Sequence, residues 1–124
     1  MSMTKTALSM VRGDTAVLTY TAKLNDVAIS LTGGKAWFTA RRSYTSTTAV
    51  FAKDSNSNGI VLDSDQVAHP GKFVVTIDPA DTASLPDEVV TLVFDVQAKT
   101  SAGVVVTVSI GTISIEPDVT VVTS

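Results

Sequence analysis

Apolar and polar residues alternate in short stretches along this 124-residue chain, and the alternation predicts about eight β-strands. After a first strand over 7–11, Arg12-Gly13-Asp14 breaks the pattern. Ala16, Leu18 and Tyr20 then share one face, while Thr15, Val17, Thr19 and Thr21 share the other. Asn25-Asp26 predicts a hairpin turn between strands over 16–24 and 27–31, because both residue types tolerate turn dihedrals. Thr32-Gly33-Gly34 precedes a strand over 35–42 in which Ala36, Phe38 and Ala40 alternate with Trp37, Thr39 and Arg41. The pattern does not choose the inner face of that strand, and Trp37 is the largest apolar side chain available to anchor a core.

Further along, strands over 49–53 and 60–62 flank Asp54-Ser55-Asn56-Ser57-Asn58-Gly59, a polar run expected to form a hairpin loop. Pro70-Gly71 introduces a strand over 72–77, and the segment 78–86, with two prolines, is expected to cross between sheets as a turn of helix. Leu92, Phe94 and Val96 point one way and Thr91, Val93, Asp95 and Gln97 the other, before Ser101-Ala102-Gly103 turns the chain into a hairpin. Val104, Val106, Val108 and Ile110 are even-numbered, but Ile113 and Ile115 are odd. A slip of one residue would invert every side chain, so a bulge or bend is expected at Gly111. Pro117 ends the strand. Many short strands with almost no helix predict an all-β fold, an antiparallel β-sandwich of about seven to nine strands in preference to a small barrel. One domain over 1–124 is expected, with 1–6 and 120–124 as flexible or assembly-docking tails.

Composition strengthens the strand reading. Val occurs 19 times and Thr 18 times, and both are β-branched types that suit strands and resist helices. The longest apolar runs are far short of the roughly 18 residues a membrane helix needs, so no membrane partner is expected. The N-terminus carries no apolar signal core, which makes synthesis for the cytoplasm the default expectation. With no Cys, disulfide scaffolds, thiolate zinc sites and cysteine nucleophiles are excluded. Nine basic against 12 acidic residues give a net charge of −3, and Arg41-Arg42 is the one basic doublet, so no nucleic-acid partner is expected.

Candidate chemistry is sparse. Asp54-Ser55-Asn56-Ser57-Asn58-Gly59 matches the opening of a calcium loop, in which alternate oxygens wrap a hard cation, but position 12 is Asp65 rather than Glu and position 9 is Leu62. A solvated turn uses the same residue types and is the preferred reading. Arg12-Gly13-Asp14 spells an adhesion tripeptide, yet Gly-Asp is also ordinary turn chemistry. His69 is the lone imidazole, and a small hydrolase built on it and nearby carboxylates would need an oriented partner that sequence does not supply. Asp63, Asp65, Asp78, Asp81, Asp87, Glu88 and Asp95 are too numerous for spacing to single out a catalytic pair. Trp37, Phe38, Tyr44, Phe51, Phe73 and Phe94 read as core, with Tyr44 and Trp37 the candidates for exposed aromatics. No catalytic, metal or cofactor residue is assigned, and no cofactor is expected.

The order of features does resemble a family. Arg12-Gly13-Asp14-Thr15, then Ile29-Ser30-Leu31-Thr32-Gly33, then Ala36-Trp37-Phe38-Thr39-Ala40-Arg41 is similar to the start of immunoglobulin-like domains of tailed-phage upper baseplate and related virion proteins. Asn58-Gly59-Ile60, Gly71-Lys72-Phe73, Pro79-Ala80-Asp81-Thr82, Phe94-Asp95-Val96-Gln97, Thr107-Val108-Ser109-Ile110-Gly111 and Pro117-Asp118-Val119-Thr120 continue that order, so the resemblance covers nearly the whole chain. It implies an immunoglobulin-like sandwich and a noncatalytic virion structural protein of the baseplate, tail or head-decoration type, made in the host cytoplasm. The implied partners are other virion proteins in a symmetric homo- or hetero-oligomer. The alternative is a host-surface module binding carbohydrate or protein. Val104-Val105-Val106 and Val119-Thr120-Val121-Val122 are the candidate assembly contacts, with core the preferred reading for Val104 and Val106.

Overall fold

The computed structural model describes residues 4–118. Ten strands run in chain order: β1 (Thr4–Val11), β2 (Ala16–Thr21), β3 (Lys23–Leu24), β4 (Val27–Ala28), β5 (Lys35–Arg41), β6 (Ala49–Asp54), β7 (Ile60–Leu62), β8 (Lys72–Ile77), β9 (Val90–Lys99) and β10 (Val105–Glu116). One four-residue helix, α1 (Pro79–Thr82), lies between β8 and β9. The fold is all-β, as the alternation predicts. Two sheets, ordered β1-β10-β9-β5-β6 and β2-β8-β7, face each other across one core, the layering of a β-sandwich, and β3–β4 forms a separate two-residue hairpin. At that hairpin Asn25 and Asp26 take φ of 52° and 65°, the left-handed pair that a tight hairpin turn demands.

Alternation places the core. From the larger sheet, Ala36, Phe38 and Ala40 of β5, Leu92, Phe94 and Val96 of β9, and Ile113 and Ile115 of β10 point inward. Phe73, Val75 and Ile77 of β8 meet them from the smaller sheet, and Ala16, Leu18 and Tyr20 of β2 pack alongside. Phe38 is the pivot, with its ring stacked between Phe51 at 5.9 Å and Phe94 at 5.1 Å. Trp37 therefore does not anchor the core. Its neighbour Phe38 takes the inner face, and strand geometry turns Trp37 outward.

Other sequence expectations are corrected as well. β1 pairs with β10 in parallel, so the larger sheet is mixed rather than purely antiparallel. The run Asp54 to Gly59 is not a hairpin loop, because β6 pairs with β5 in one sheet while β7 pairs with β8 in the other. It carries the chain between sheets. The slip in β10 falls between Thr107 and Ser109, where Val108 and Ser109 are both buried, and not at Gly111. Gly111 has a different cause: a Cβ there would run into the backbone of Thr6 on β1. The strand expected over 27–31 stops at Ala28, leaving Leu31 fully buried outside any strand. Val104 lies outside β10 and is 39% exposed, so it is not core, whereas Val106 is. Thr4 to Thr6 belong to β1, and the proposed contact residues Val119 to Val122 lie outside the described residues.

Candidate functional site

The candidate chemistry is spread over the surface by the fold, and most of it is tied into local structure. Arg12 leaves β1 and reaches over the end of the sandwich: its Nε donates to Asp118 Oδ1 at 2.7 Å and its Nη1 to the Leu85 carbonyl at 2.9 Å. Asp87 stands 3.5 Å from Nη2. Gly13 N–H donates to Thr82 Oγ1 at 2.9 Å. Arg12-Gly13-Asp14 is thus a clasp between β1, α1 and the C-terminal end of β10, with the arginine engaged rather than displayed. Hydrogen bonding from Arg12 holds the Asp118 carboxyl below the usual carboxylate range.

Asp54 and Asp65, the first and twelfth positions of the calcium-like run, serve their own turns. Asp54 accepts from Asn56 N–H at 2.8 Å and from Asn58 Nδ2 at 3.2 Å, and Asp65 accepts from Ala68 N–H at 3.0 Å. Among the described residues no three of His, Cys, Asp and Glu come together as a metal-holding group. His69 Nδ1 does lie 3.4 Å from Asp63 Oδ2, with Lys72 Nζ 4.0 Å from the same oxygen. Asp63 is held low first by the backbone N–H of Asp65, against a smaller opposing effect of burial, and then by His69. Among the described residues no hydroxyl is hydrogen-bonded to the imidazole.

Two polar residues that sequence reasoning did not single out are structural keystones. Gln66, buried, uses its whole amide: Oε1 accepts from Leu31 and Gly71 N–H at 2.9 and 2.8 Å, and Nε2 donates to the carbonyls of Asp63 and Lys72 at 2.9 and 3.1 Å. It holds the 63–72 loop closed. Lys53 is only 5% exposed and places Nζ 2.7 Å from Asp81 and 3.0 Å from Asp78. Burial pulls its pKa down, but the two aspartates outweigh that and hold it above the ordinary lysine value. The signal for it was present: Lys53 stands at an inward position of β6, two residues after Phe51.

Two of the surfaces open to other molecules are the outer faces of the sheets, beside exposed positions elsewhere such as Val27, Val67 and Val89. On the smaller sheet, Val61 sits opposite Val74, and Val17 is diagonal to it across β2 and β8. Val17 is 63% and Val61 70% exposed, with Thr19, Thr21 and Thr76 completing a face of β-branched residues. The outer face of the larger sheet is more polar. Thr39, Arg41, Tyr44, Val93, Asp95 and Ile110 line a shallow depression of about 140 Å³ there, and Tyr44 is 74% exposed. Burial raises the pKa of Asp95, and the charge of Arg41 only partly opposes it. Beside this depression, Gly34, Lys35, Trp37, Asp54, Ser55 and Asn56 line a wider groove of about 500 Å³. The sequence candidates Trp37 and Tyr44 therefore both lie on this face. Comparison with known proteins finds no matching family model and no matching curated protein.

Proposed function

We propose that this chain is a noncatalytic structural module of a tailed-phage virion, of the baseplate, tail or head-decoration type, acting by assembly with other virion proteins in a symmetric oligomer. The order β10-β9-β5-β6 against β2-β8-β7 supports an immunoglobulin-like arrangement, corresponding to strands G-F-C-C′ and B-E-D of that fold. The stacked Phe38 and Phe94, on the strands equivalent to C and F, occupy the region that a Trp and a disulfide fill in antibody domains. The colinear motifs from Val11 to Thr120 point to the phage branch of such domains.

The observation that carries the assembly reading is the Val17, Val74 and Val61 face, an exposed patch of β-branched side chains with Lys72 at one end. A flat β-branched face suits permanent lateral packing between repeated subunits. Quantitative mass spectrometry of purified particles tests the reading. The expected result is a fixed copy number matching the particle's symmetry, and absence from mature particles overturns it. A second reading, a module that binds a host-surface ligand, is favoured by one observation, the outward Trp37 beside a polar groove.

A further inference from the structure

Trp37 is the sole tryptophan of the chain and belongs neither to the core nor to the residues packed against it. Across the strands it stands between Asp54 of β6 and Gln97 of β9, with Lys35 two residues away on the same face. A large indole is thus half-buried in a polar setting, and the groove beside it of about 500 Å³ is lined by Lys35, Asn56, Ser55 and Asp54, with Ser55 Oγ accepting from Ala36 N–H and Asp54 keeping lone pairs beyond those its turn uses. An indole face bordered by donors and acceptors matches a pyranose ring, whose C–H face is apolar and whose rim is hydroxyl.

A second, independent feature specifies the sugar. Lys35 and Lys99 are paired directly across β5 and β9 and both are exposed, Lys35 lining the groove and Lys99 standing next to it on the same face. Neither forms an ion pair among the described residues. Like charges directly opposite each other disfavour a sheet, and an anion beside them relieves the repulsion. Same-face positions along a strand are about 6.6 Å apart, which puts the lysines within a sugar's exocyclic reach of the indole.

We propose that the Trp37 groove binds a saccharide through one pyranose ring that carries a carboxylate, the ring lying on Trp37, its hydroxyls on Asn56 and Asp54, and its carboxylate toward Lys35 and Lys99. This deepens the ligand-binding reading and is independent of the assembly reading, because it is tested on the purified chain with no particle present. Because Trp37 is the only indole, its fluorescence reports this groove directly. Titration with glucuronate is expected to change Trp37 emission with a Kd on the order of 1 mM, the range open to a ligand of this size. Glucose binds several-fold more weakly, and added salt narrows the difference. Lys35→Gln weakens glucuronate binding about 5-fold and leaves glucose unchanged, and Asn56→Ala weakens both. Trp37→Ala, followed by calorimetry, abolishes binding while the thermal transition persists. Emission unchanged by either sugar up to about 100 mM, a hundredfold above the expected Kd, overturns the proposal. So does an emission change that depends only on protein concentration, which would make the face a contact between copies of this chain.

Discussion

Asp95 shows how one side chain can report on the outer face of the larger sheet. It is half-buried beside Val93 and Ile110, and among the described residues the charge of Arg41 favours its ionised form. Burial raises its folded pKa above the unfolded value, so folding binds its proton more tightly than the unfolded chain does. The resulting stability is full below the unfolded pKa of about 3.9 and is lost as pH rises through the folded value. Asp95→Asn is therefore expected to raise the melting temperature at pH 7 and to converge with the wild type near pH 3. Solvent screening at a half-exposed site limits the gain to on the order of 0.5 kcal/mol, about 2 °C. Thermal unfolding across pH 3 to 8 checks this, and a variant less stable at pH 7 would mean that Arg41 outweighs desolvation. Residue-scale chemistry of this kind was legible only in part. The alternation put Asp95 on the face opposite Leu92, Phe94 and Val96, but the cost of that position depends on neighbours from β5 and β10 that no local pattern reveals.

Among the elements, β10 shows where local pattern is informative and where it stops. Its change of phase was visible in the shift from even to odd apolar positions, because a buried strand must keep its side chains on one face. The position of the bulge was not. Gly111 drew the expectation to itself, since glycine is the usual mark of an irregularity, while the extra residue sits at Val108–Ser109. The glycine answers instead to β1, whose Thr6 backbone occupies the space of a side chain at that point. Gly111→Ala is expected to push β1 away from β10 and to cost about 1–3 kcal/mol, the usual range for overpacking. Denaturant unfolding measures the loss, and hydrogen exchange should show faster amides across β1 than in β5 or β8. An unchanged midpoint would mean that β1 does not need that close approach. The clasp at Arg12 and the turn of helix before β9 belong to the same scale. The helix was expected from its prolines and short residues, but its tie to Lys53 through Asp78 and Asp81 joins segments too far apart in sequence to be read together.

For the whole molecule, the sheet character was written in the Val and Thr content, and the layering followed from the number of short strands. Which strands pair was less legible. The loop after β6 looked like a hairpin because its residues favour turns whether the next strand returns to the same sheet or crosses to the other. The crossing leaves β7 on the edge of the smaller sheet and so brings Val61 beside Val74, building the apolar face on which the assembly reading rests. That face holds no core residue, so replacing Val17 and Val61 by Asp should cost at most about 1 kcal/mol at each site, the loss of strand propensity, while burying two charges in any contact made there. The most direct test is to supply wild-type and Val17→Asp/Val61→Asp chains together during particle assembly and count copies of each in purified particles by mass spectrometry, with both free proteins shown to be fully folded at the assembly temperature as the control. Depletion of the variant by at least about tenfold, the factor that 1.4 kcal/mol of lost contact gives, is the predicted result. Equal incorporation of the two would contradict the claim that this face builds the particle.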